Sequence, residues 1–87
     1  MSTLELRYFA SLREAVGVAA EQLSIPADGI EFVDLLPELR SRHGAEAAAA
    51  LTRPSVRLAL NQELVEIPGL RLQPGDELAF LPPVTGG

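Results

Sequence analysis

Few residues in this chain can carry covalent chemistry. None of the 87 residues is cysteine, so there is no thiolate nucleophile, no sulfur ligand for a metal and no disulfide. None is lysine, all seven basic residues being arginine. That removes a Walker-type phosphate loop, Schiff-base chemistry and any side-chain amine for isopeptide attachment. Histidine occurs once, as His43. With no cysteine or second histidine beside it, it reads as a helix-end residue facing water. Ser11 stands three residues before Glu14, the spacing of a capping box, and reads as a helix cap rather than a nucleophile. The carboxylates are scattered, and none forms the pocketed pair that acid–base hydrolysis of a glycoside needs. The only stretch left for chemistry is the last one, "FLPPVTGG".

Glycine makes up about 7% of average sequence, so a closing Gly-Gly arises by chance in roughly 0.5% of chains. A frayed end would also be glycine-rich, but it would seldom follow Pro82-Pro83. Two prolines have no N–H to extend a sheet and favour a stiff, extended backbone, which holds the following residues off the body. Gly86 and Gly87 lack a Cβ, fit a tunnel too narrow for other residues, and leave the final carbonyl carbon open to attack. A carboxylate is a poor electrophile until activated, for example as a mixed anhydride with AMP. With no phosphate loop in the chain, activation must come from another protein. The pattern is that of a carrier, with a globular body over residues 1–81 for docking and a functional tail over 82–87.

The elements that position this tail follow from periodicity. "TLELRYFA" alternates Leu4, Leu6 and Tyr8 against Glu5 and Arg7, the signal of a half-buried strand. "SLREAVG" is a short helix stopped by Gly17. "EQLSI" is a second strand, ended by the turn "PADG". Phe32, Leu35, Leu36 and Leu39 then fall on one helical stripe, closed by Arg40, Arg42, His43 and Gly44. Pro37 interrupts that stripe, and either the helix kinks there or a new one begins. "AEAAAAL" reads as a further short helix. "SVRLAL" is a strand, "NQE" a turn, and Leu64-Val65 a short strand. "IPGLRLQPGD" is a loop. "ELAFL" is the last strand, with Leu78 and Phe80 on one face and Ala79 and Leu81 on the other. With one substantial helix, the expected fold class is α+β: a two-layer roll, a mixed sheet with one main helix packed across it. Leu81 then points away from that helix. With Leu64 it forms an apolar patch beside the tail, read as an interface.

Composition narrows the setting. At 87 residues and 47% apolar, the chain makes one small domain with a single core. No apolar run approaches the ~18 residues of a membrane span, and no basic-then-apolar leader opens the sequence. The expected location is cytoplasmic. A net charge of −5 disfavours nucleic acid and anionic membrane and favours a partner with a basic surface.

Three segments together resemble the ubiquitin-like MoaD/ThiS sulfur-carrier family, and within it the small subunits of molybdopterin synthase. They are "RYFASLREAVG", "LALNQELV" and "LQPGDELAFLPPVTGG", and the likeness runs nearly end to end. It implies a β-grasp (ubiquitin-like) fold. It implies further that Gly87 is adenylated, with ATP, by a MoeB-type partner enzyme and converted to a thiocarboxylate. The tail then enters a MoaE-type large subunit, in a complex with two copies of each chain, and its sulfur goes to a pterin precursor during molybdenum cofactor biosynthesis. Carried onto this sequence, Gly87 bears the sulfur, Gly86 gives it clearance, and Pro82, Pro83, Val84 and Thr85 line the channel. Leu64 and Leu81 match apolar docking positions, and Arg13 a basic contact. The chain itself would bind no cofactor and act as a non-catalytic sulfur donor. Pro37 departs from the family, whose members run that helix unbroken. The alternatives are a carrier for another pathway, such as thiamine or a sulfur amino acid, and a ubiquitin-like interaction domain without chemistry.

Overall fold

The computed structural model describes residues 2–83. The chain runs β1 (Thr3–Tyr8), α1 (Ala10–Val16), β2 (Ala20–Ser24), β3 (Ile30–Glu31), α2 (Phe32–His43), α3 (Ala45–Leu51), β4 (Arg57–Leu60), β5 (Glu63–Val65), β6 (Arg71–Leu72) and β7 (Glu77–Leu81). Five strands form one sheet in the order β2-β1-β7-β4-β5. β1 and β7 are parallel, and every other neighbour pair in it is antiparallel. The sheet is therefore mixed, and the α+β class expected from periodicity holds. None of the helices described is long and apolar enough to cross a membrane.

Side-chain alternation decides the two faces. In β1, Leu4, Leu6 and Tyr8 are buried, and in β7 so are Leu78 and Phe80. Their registers match, Leu6 opposite Leu78 and Tyr8 opposite Phe80. This inner face meets Phe32, Leu35 and Leu39 of α2, Leu12 of α1 and Leu51 of α3 in one core. Each such side chain contributes about 1.5–3 kcal/mol by leaving water. Phe80 lies at its centre, its ring 5.5 Å from Tyr8 and 6.2 Å from Phe32.

α2 is one helix that contains Pro37. Proline has no N–H for the carbonyl four residues back, at a cost of about 3 kcal/mol. Leu35 and Leu39, on either side of it and essentially fully buried, offset that cost through the packing of the same helix face. The expected stop at Gly44 is present, with φ at 97° and its N–H donating to the Arg40 carbonyl.

Two expectations are corrected. Ser11 does not cap α1: the N-cap is Phe9, without a side-chain hydrogen bond, and Ser11 lies exposed within the helix. The chain enters α1 directly from β1, since the Phe9 N–H still bonds the Phe80 carbonyl at 3.2 Å. This sheet bond sets the N-cap at Phe9, two residues too early for Ser11 to cap an orphan amide. The stretch read as loop from Ile67 to Asp76 also contains β6, which pairs with β3. A two-residue ladder leaves too little alternation to detect in sequence. It closes tightly: a Cβ on Gly29, at φ +95°, would lie 2.6 Å from the Leu72 carbonyl oxygen.

Candidate functional site

Among the described residues the sheet carries helices on its inner face and none on its outer face, where Pro82 and Pro83 follow β7. Pairing sets its rows. Arg57 lies opposite Leu81, Ala59 opposite both Ala79 and Leu64, and Glu5 opposite Glu77. Paired residues project to the same side. The row nearest the tail thus holds Arg57 and Leu81, the middle row Arg7, Ala79, Ala59 and Leu64, and the far row Glu5 and Glu77. Leu64 is 62% exposed and Phe9 42%, while Ala59 and Ala79 are small and form a low floor between them.

Two hollows share Leu81. One, of about 460 Å³, is lined by Ser55, Arg57, Leu64, Leu81, Pro82 and Pro83. The other, of about 420 Å³, is bounded by Phe9, Arg7, Ala59 and Ala79. Pro82 follows the last strand residue at once, as expected of a residue that cannot donate to the ladder. The structure thus brings together four of the residues singled out from sequence: Leu64, Leu81, Pro82 and Pro83. Arg13 is not among those lining either hollow. It is exposed on α1, next to Leu12, which packs into the core on the helix side. Val84, Thr85, Gly86 and Gly87 lie outside the described residues.

Phe9, Arg7 and Arg57 are the outer-face residues that sequence reasoning passed over. The signal for Phe9 was present, because Glu5, Arg7 and Phe9 continue one alternation. Arg57 could not be placed beside the tail without the strand order.

A second polar cluster was also missed, and it corrects the reading of His43. That residue does not face water, its side chain being only 12% exposed. Glu21 Oε2 accepts hydrogen bonds from the Tyr8 hydroxyl at 2.6 Å and from His43 Nε2 at 2.5 Å. Arg42 donates to Glu21 Oε1 at 3.2 Å. The cluster ties the end of α2 to the edge strand β2, contacts that no local pattern encodes. Burial alone would raise the Glu21 pKa, but the bonds from Tyr8 and His43 and the charges of His43 and Arg42 outweigh it and hold the carboxyl below its ordinary value. Burial and the bond to Glu21 push the Tyr8 phenol up, so it stays a donor.

A carboxylate with a depressed folded-state pKa stabilises above its unfolded value and loses that contribution as pH falls through the folded one. Stability should therefore decline below about pH 4.3, the ordinary glutamate value. Glu21→Gln should cost about 1.5–3 kcal/mol at pH 7, as expected for hydrogen bonds to a charged group. The gap from the unaltered chain should shrink as pH falls toward 3. Urea denaturation of both proteins across that range measures it, and a gap independent of pH would refute the assignment.

The model of the ThiS family matches residues 6–87. This chain belongs to the ThiS family. The human protein named molybdopterin synthase sulfur carrier subunit is 40% identical over 86 residues, spanning 97% of this chain and 93% of its own length. The crystal structure of SAMP1 from Haloferax volcanii superposes with a TM-score of 0.77 at 28% identity, covering 98% of this chain and 99% of that one. A chain in the complex of subunits 1 and 2 of molybdopterin-converting factor from Helicobacter pylori 26695 superposes with a TM-score of 0.58 at 25% identity, covering 98% and 99%. The fold is the ubiquitin-like β-grasp of this family.

Proposed function

We propose that this chain is the sulfur-carrier subunit of a molybdopterin synthase. The observation that carries the reading is its near full-length likeness to a protein so named, at 40% identity over 97% of the chain. The exposed apolar groove at the root of the tail supports it, since a carrier needs a body that docks where its tail enters a partner. That partner is a large subunit, as in the two-subunit complex of the Helicobacter relative.

In this reading the Gly87 carboxylate attacks the α-phosphate of ATP on an adenylating partner and pyrophosphate leaves. A sulfur donor then displaces AMP, and the thiocarboxylate passes its sulfur to the pterin precursor held by the large subunit, in a complex with two copies of each chain. Gly86 leaves room around the reacting carbonyl, and Pro82 to Thr85 occupy the approach to the partner's site. Leu64 and Leu81 seat the body, and Arg13 makes a separate polar contact from α1. The lysine-free surface supports the carrier role over that of a chain-forming modifier, because it offers no side-chain amine to a second copy.

Coexpression with a MoeB-type enzyme should yield protein heavier by one oxygen-to-sulfur exchange, located in the C-terminal peptide. Mixed with a MoaE-type subunit and the pterin precursor, it should give molybdopterin stoichiometrically with sulfur consumed. Sulfur loading without molybdopterin would point to the runner-up, a carrier for another pathway. Membership of the ThiS family favours that alternative over a domain without chemistry.

A further inference from the structure

The outer face is electrically polarised along the strands. At the tail end stands Arg57, exposed and opposite Leu81, with no carboxylate in ion-pair range among the described residues. Among the described residues it is the one charged residue lining the groove with Leu64, Leu81, Pro82 and Pro83. At the other end Arg7 bridges Glu5 at 3.0 Å and Glu77 at 2.9 Å, which leaves two carboxylates sharing one guanidinium. Glu77 and Leu81 are four residues apart on one strand, so the two poles are separated by about 13 Å. Between them the floor is Ala59, Ala79 and Leu64, and the Arg7 of this row is held toward Glu5 and Glu77 by its two ion pairs.

We propose that this dipolar face selects its partner and sets the partner's orientation. The complementary surface carries a carboxylate that meets Arg57 beside the tail entrance and a basic side chain about 13 Å away that meets the Glu5–Glu77 pole. Apolar side chains between them cover Leu64 and Leu81. The proposal rests on the sulfur-carrier reading and deepens it, because it supplies a reason for the tail to enter in one direction. Apolar contact is non-directional and by itself does little to penalise a reversed approach. Opposed charges at the two ends penalise that approach by placing like charges together, and they speed the correct encounter.

Binding of the full chain to its MoaE-type large subunit, followed by stopped-flow and calorimetry over a range of salt, tests this. Arg57→Glu should weaken binding at least about tenfold, mainly through a slower association rate. Arg57→Met, which keeps an apolar stem, should slow association less and flatten its salt dependence. Glu77→Arg should weaken binding to a similar degree, with its thermal melt confirming that the sheet is formed. Leu64→Ala should weaken binding while leaving the salt dependence as it was. Arg57→Glu binding within about twofold of the unaltered chain, against the tenfold expected for charge reversal, overturns the proposal while leaving the sulfur-carrier reading in place. Tighter binding by Arg57→Met would also overturn it, by showing that the arginine holds the chain's own tail instead. If the unaltered chain does not bind the large subunit at all, the functional reading fails, and this proposal with it.

Discussion

Deleting Gly87 should reduce sulfur transfer to the pterin by more than about a hundredfold, the penalty for moving a reacting atom out of attack geometry. One residue fewer shortens an extended chain by about 3.5 Å, while the docking proposed for Leu64 and Leu81 would still hold the root in place. The shortened chain therefore presents its carboxyl short of the reaction centre. Binding to the large subunit should change little, and the melting temperature not at all. Among the described residues the buried core runs from Leu4 to Phe80, and Pro82 and Pro83 are not part of it. Gly86→Ala should produce a smaller loss with the reach unchanged, since it adds only a Cβ beside the reacting carbonyl. Single-turnover assays with saturating large subunit separate transfer from docking. Transfer by the shortened chain within about tenfold of the full one would rule out end-on delivery, given how steep the dependence on position is.

Phe80→Ala should destabilise the fold by about 3–5 kcal/mol, as usual for emptying an aromatic site in a core. Phe80 is fully buried, and its ring touches the β1 aromatic Tyr8 and the α2 aromatic Phe32, so its loss opens a cavity between both layers. For a domain of this size that is a large share of the total stability. The melting temperature should fall by roughly 12–40 °C, at about 4–8 °C per kcal/mol. Because Leu81 and Pro82 follow directly, the same substitution should loosen the tail root. Binding to the large subunit should therefore weaken even at temperatures where the variant is folded. Phe80→Leu, which refills most of the volume, should recover much of both effects. A Phe80→Ala melt within a few degrees of the unaltered chain would show that the packing around β7 is not what holds the layers together.

Much of the secondary structure was legible because its signals are local. Alternation in "TLELRY", "RLAL" and "ELAFL" marks strands whose inward apolar positions are buried, Leu60 only partly, and the helical stripe of Phe32, Leu35 and Leu39 faces the sheet. The Asn61-Gln62 turn was legible too, and the structure gives both residues positive φ, which suits the tight hairpin between β4 and β5. Ser11 failed for a physical reason. The capping-box spacing is correct in sequence, but the Phe9 amide is claimed by the sheet, so the helix starts in a different place. The β3–β6 ladder failed because two residues do not make a period.

The outer face was only half legible. Leu81 could be assigned away from the helix from alternation within its own strand, and Leu64 could be suspected as its neighbour. That Arg57 stands across from Leu81, and that Arg7 is shared by Glu5 and Glu77, depends on β7 inserting between β1 and β4. Strand order of that kind is a long-range property, since β1 and β7 are separated by most of the chain. His43 shows the same limit from the other side. Its position at a helix end was correct, yet the Glu21 and Tyr8 that enclose it come from strands far away in sequence.

The amino-acid sequence by itself determined the composition of the tail, the lack of cysteine and lysine, and the inner and outer positions of the main strands. These follow from residue type and from a period of two or 3.6, which act over a few residues. Only the tertiary structure decided which strands are neighbours, which charges flank the groove at the tail root, and that His43 is enclosed. Those outcomes depend on how distant segments bury their apolar faces together, and no local pattern specifies them.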